Sequence, residues 1–148
     1  MRLLIVFASL FSASALACPQ FAGNWKFSND DGFIKIKIDQ QACMAMNEEY
    51  DQGWGFKVNH SHTFDNTKRL VENNGDFQAY ETANMSETAA FISEERHAID
   101  EDTRRPVMVN INIRMVLLDM NHLEITRTIY NPDGSVDGSE KTIYARMP

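Results

Sequence analysis

The chain has 148 residues, 43% of them hydrophobic, with 14 Lys and Arg against 21 Asp and Glu and a formal net charge of −7. An acidic chain without a basic cluster argues against nucleic acid as a partner and against adsorption to an anionic membrane surface. The length fits one domain with a core of its own, so a single cross-link would staple the fold without being its foundation.

The chain opens on Met1-Arg2, a short apolar run from Leu3 to Phe11, and small residues ending in Ala15-Leu16-Ala17. Charge, apolar run and small-x-small is the layout of a secretory signal. The apolar run falls far short of the roughly 20 residues that span a bilayer. We therefore expect cleavage after Ala17, an exported product in the periplasm or cell exterior, and a single mature domain over 18–148. Losing Arg2 with the leader takes the net charge from −7 to −8. Cys18 would then be the first mature residue, which keeps open a second reading, a lipid anchor on Cys18. Against it, Ala15 stands where a lipobox wants Leu. The mature chain has two cysteines, Cys18 and Cys43. An even count in an exported chain favours a disulfide, here closing a loop of about 25 residues and worth about 3 kcal/mol.

From there the pattern is period two. Ile34, Ile36 and Ile38 alternate with Lys35, Lys37 and Asp39, as on a strand with one wet and one dry face. Trp54, Phe56, Val58, His60, His62 and Phe64 share one parity, which predicts an interior face for all of them. Val107, Val109, Ile111, Ile113, Met115 and Leu117 form a long half-buried strand, and Leu123, Ile125 and Ile129 another. Turn signals separate the runs: Asn29-Asp30-Asp31-Gly32, Asn73-Asn74-Gly75-Asp76, Met120-Asn121-His122 and Asn131-Pro132-Asp133-Gly134. The predicted strands are about 21–28, 33–39, 42–50, 54–64, 67–72, 76–84, 88–96, 106–119, 122–131 and 139–147. The charge-dense stretch Glu94–Asp102 reads as a solvated connection. The fold class is all-β: an antiparallel up-and-down meander of about 8–10 strands, closed into a barrel that removes its exposed edges.

Phe21-Ala22-Gly23-Asn24-Trp25 resembles the Phe-x-Gly-x-Trp motif with which lipocalins open their first strand. The resemblance implies a small bacterial, lipocalin-like (calycin-type) barrel that binds a small apolar ligand. It implies that Gly23 permits close approach at the barrel base and that Trp25 plugs the closed end. It also implies an Arg from a late strand across the Trp ring. Arg127 and Arg146 are the candidates, and Arg146 is preferred. The family's Thr-Asp-Tyr-like run is absent.

Trp54, Phe56, His60 and His62, with Arg127, are the candidate ligand contacts. His60 and His62 also raise a metal reading, since two imidazoles on one face can hold Zn or Cu; a further ligand would have to come from His97, His122 or a carboxylate. No residue is assigned as a metal ligand, and no cofactor is expected. Asp133–Gly138 lacks the ligand order of a calcium loop and reads as a hairpin. Glu48-Glu49 and Glu94-Glu95 are adjacent pairs whose members face opposite sides of a strand, and both pairs read as solvated surface. The motifs of serine hydrolases, zincins and phosphate loops are absent, so no catalytic residue is assigned. Three functions stay open: an exported ligand-binding barrel, a ligand-free structural or inhibitory module, and a metal-dependent protein using His60 and His62.

Overall fold

The computed structural model describes residues 18–29, 32–53 and 55–148. The expected leader, residues 1–17, and the candidate Trp54 lie outside the described residues. Ten strands follow one another: β1 Gly23–Asn29, β2 Gly32–Gln41, β3 Ala45–Asp51, β4 Lys57–Thr63, β5 Arg69–Asn73, β6 Phe77–Met85, β7 Ala89–Ile99, β8 Pro106–Asp119, β9 His122–Tyr130 and β10 Val136–Arg146. All pairings are antiparallel, in the order β4-β3-β2-β1-β10-β9-β8-β7-β6-β5. The chain is thus an all-β meander, with its first and last strands side by side in the middle of one curved sheet.

β4 and β5 are the two edges of that sheet. The roll of the sheet brings β4 across to β6, where no ladder joins them among the described residues. Two bonds stitch this seam instead. The amide of Asn66, just past β4, donates to the Ala83 carbonyl at 2.9 Å, and His62 Nδ1 meets Glu81 Oε2 at 2.8 Å.

Alternation produces the core. On β2 the even positions Ile36 and Ile38 are buried while Lys37 and Asp39 are exposed. One cluster joins Phe21, Trp25, Met46, Ile92, Met115 and Leu123, among others, toward the end of the sheet that carries the 42–44, 86–88 and 120–121 turns. Toward the opposite end, the inward residues Phe27, Ile34, Tyr50, Val109 and Ile129 are only half-buried.

Two expectations about strand extent are corrected. β4 begins at Lys57, not at residue 54, because Gly53 and Gly55 take φ values of 88° and 78°. Left-handed backbone cannot continue a strand, so the parity drawn through Trp54 and Phe56 breaks there. Phe56 is consequently 62% exposed, not interior. The stretch from Glu94 is no solvated connection either: β7 runs through it to Ile99, with Glu94 buried and Arg96 half-buried.

Candidate functional site

At the plugged end every group is committed. The Trp25 indole N–H donates to the Phe21 carbonyl at 2.9 Å. The Arg146 guanidinium lies over the Trp25 ring, 4.3 Å from its centroid. Arg146 also donates to the carbonyls of Met120 at 2.7 Å and Ala22 at 3.0 Å. Trp25 and Arg146 are cross-strand partners, so register alone selects Arg146 over Arg127 for this contact. Gly23 makes room for it: a Cβ there would stand 2.6 Å from an Arg146 nitrogen, on a backbone with φ of 145°. Gln40 latches the N-terminal segment by accepting from the Phe21 amide at 2.7 Å and donating to the Pro19 carbonyl at 2.9 Å. The Cys18–Cys43 disulfide fastens the same corner.

The middle of the barrel is different. Glu48 on β3, His62 on β4, Glu81 on β6 and Glu94 on β7 all point inward and are all buried. Each follows from strand parity: Glu48 lies two residues from the buried Met46, Glu81 two from Ala83, and Glu94 two from Ile92. Glu81 and Glu94 are also direct cross-strand partners. Like charges placed opposite each other on one face are costly, and more so when buried.

Cations within the barrel offset part of this charge. Arg96, two residues along β7, donates to Glu94 Oε2 at 2.8 Å through Nε and at 2.6 Å through a terminal nitrogen. His62 sits between two carboxylates, with Nδ1 2.8 Å from Glu81 Oε2 and Nε2 3.7 Å from Glu48 Oε2. The second distance is too long for a hydrogen bond but close enough for attraction. Burial disfavours the imidazolium, but Glu48 and Glu81 outweigh that penalty and push the His62 pKa up to about 9. The Tyr50 hydroxyl donates to Glu48 Oε2 at 2.8 Å. Burial, and then the neighbouring Glu48, holds this phenol well above its usual range; burial first, and then Glu140 and Glu48, raises Tyr144 to about 12.

Two atoms are left over. Glu48 Oε1 and His62 Nε2 are the buried side-chain N and O atoms without a hydrogen-bond partner among the described residues. Both belong to residues only 4% exposed. An unpaired buried polar atom costs about 1–3 kcal/mol, so two in one place mark a position that a polar group from outside the chain would satisfy.

The other candidates fall around this belt or away from it. His60 has inward parity but is exposed, because β4 is an edge strand covered only by β3. Its ring stacks on His62 at 6.3 Å and meets Tyr50 edge-on at 5.7 Å. Arg127 faces inward on β9, half-buried, directly opposite Glu140 in register. His97 and His122 bond the carboxylates of Glu95 and Asp119 and do not join His60 and His62. Among the described residues no group of three or more His, Cys, Asp or Glu side chains could hold a metal ion. Asp133 accepts from the amide and hydroxyl of Ser135, the bonding of a plain turn. Glu49 and Glu95 are the solvated halves of their adjacent pairs; Glu48 and Glu94, expected on the surface, are inside.

No protein-family model matches the sequence, and no curated protein matches it. Among solved structures the chain is similar to a mutant of the fluorescent protein UnaG, with a TM-score of 0.54 and 11% identity over 86% of this chain and 96% of that one. The fold is a calycin-type β-barrel. At this identity the likeness is one of fold, and function has to come from the site. No helix among the described residues is long and apolar enough to cross a membrane.

Proposed function

We propose that this is an exported barrel that holds a small, largely apolar ligand in its interior, with the ligand's polar end at Glu48 and His62. The observation that carries the reading is the pair of buried, unpartnered atoms, Glu48 Oε1 and His62 Nε2, facing the barrel middle. The similarity in fold to a fluorescent protein is compatible with an interior that takes a small molecule. The leader layout and the Cys18–Cys43 disulfide support export to an oxidising compartment.

The test uses the mature protein and Nile red, a neutral apolar dye that brightens on leaving water. The reading expects saturable uptake with one dye per chain, competed away by decanol. A cooperatively folding protein that takes up no dye would instead be the ligand-free module, and the binding reading would fail. Intact mass of the exported protein tests its processing. The reading expects residues 18–148 with the disulfide formed, and a diacylglyceryl adduct on Cys18 would replace release with anchoring.

A further inference from the structure

Resting on that reading, we infer that the site selects a cationic head group: the ligand is a protonated amine with an apolar body, held by Glu48. Three observations converge. The first is charge. The inward carboxylates Glu48, Glu81, Glu94 and Glu140 face the cations His62, Arg96 and Arg127, which leaves one negative charge unbalanced. Arg96 is spent on Glu94, Arg127 stands opposite Glu140, and His62 lies nearer Glu81 than Glu48. The surplus therefore falls on Glu48. His60, the remaining titratable imidazole on this face, stacks on His62 and is bonded to neither carboxylate.

The second observation is the free acceptor. Glu48 Oε2 takes the Tyr50 hydroxyl, while Oε1 takes nothing. A buried carboxylate oxygen with a surplus of negative charge wants a charged donor. A carboxylate ligand would add a second anion beside Glu48, and an alcohol would satisfy the lone pair but leave the charge.

The third is the neighbouring Nε2 of His62, also unpartnered. With Nδ1–H donated to Glu81, a neutral His62 offers Nε2 as an acceptor. One ammonium can then donate one N–H to Glu48 Oε1 and another to His62 Nε2. The imidazole proton leaves to solvent as the amine binds, because an alkylammonium, at about 10.4 for a lysine-type amine, holds its proton more tightly than this imidazolium.

The experiment compares decylamine, decanol and decanoate, matched in apolar body, by titration calorimetry below their aggregation concentrations. Decylamine should bind about tenfold tighter than decanol and about a hundredfold tighter than decanoate. Titration near pH 7.5 in buffers of different ionisation enthalpy should show about one proton released per decylamine bound and none per decanol. Glu48→Gln, folded by circular dichroism, should bring the decylamine-to-decanol ratio close to one. Decanoate equal to or tighter than decylamine would overturn the inference, as would an amine preference that survives Glu48→Gln or comes without proton release. If Nile red and decanol enter but the amine has no advantage, the head-group assignment alone fails. If none of the three ligands and no dye binds, the interior-binding reading fails with it.

Discussion

The plugged end around Trp25 and the polar belt around Glu48 are equally buried, yet they are built on opposite terms. At the plug each polar atom is matched: the indole N–H to Phe21, the Arg146 guanidinium to Ala22 and Met120, its flat face to the Trp25 ring. In the belt, buried carboxylates crowd one another and two polar atoms have no partner. A structure that only had to fold would gain from an apolar middle, since a buried ion cluster is often worth less than the hydrophobic residues that could replace it. The contrast teaches that the plug serves stability and the belt serves something that enters.

If that division is right, the two regions should answer mutation differently. Trp25→Ala should have the largest effect, a loss of about 3–5 kcal/mol in denaturant unfolding, the usual range for emptying a buried aromatic site. A loss under about 1 kcal/mol would take the plug out of the core. Next comes the belt's response to pH. The folded-state pKa of His62 is raised to about 9. Its contribution should therefore be complete below the unfolded value of about 6.5 and fade as pH climbs through about 9, by about 3 kcal/mol at most. Unfolding measured from pH 6 to pH 10 should show that decline in the wild type and lose most of it in His62→Gln.

The sequence made the plug legible and left the belt dark, for a physical reason. Phe21, Gly23 and Trp25 are close in the chain, and strand parity with Arg146 near the other terminus suffices to pair them. Likewise the alternation of Ile34, Ile36 and Ile38 is a local signal that fixes β2. The belt depends on contacts that no local pattern carries. His62 meets Glu81 across a seam with 19 residues between them, where the sheet has no ladder to impose register. Reading Glu48-Glu49 and Glu94-Glu95 as split between two faces was correct geometry. Assigning both halves to water assumed that charge is always solvated. A finer signal was present: Glu48 with Tyr50, and Glu94 with Arg96, are spaced two apart, which on a strand makes them partners on one face. Phe56 was misplaced because Gly53 and Gly55 interrupt the strand that its parity assumed.

Smaller effects sharpen the comparison. Gly23→Ala should cost about 1–3 kcal/mol, since the new methyl group meets Arg146 on a backbone that favours glycine; thermal unfolding would read this as a lower midpoint. Glu48→Gln should cost nothing and gain up to about 1 kcal/mol in the ligand-free protein, because it relieves the surplus charge while Glu81 keeps His62 paired. A loss of stability there as large as at Trp25 would erase the distinction between plug and belt.

The most direct test of the belt as a binding position is a crystal structure of the mature protein with its tightest ligand from the matched decyl series. The account predicts continuous ligand density inside the barrel, with the polar end within hydrogen-bond distance of both Glu48 Oε1 and His62 Nε2. Density confined to the outer groove of about 690 Å3 along Thr82, Phe91, Asn112 and Thr128, with the interior belt unchanged, would contradict it.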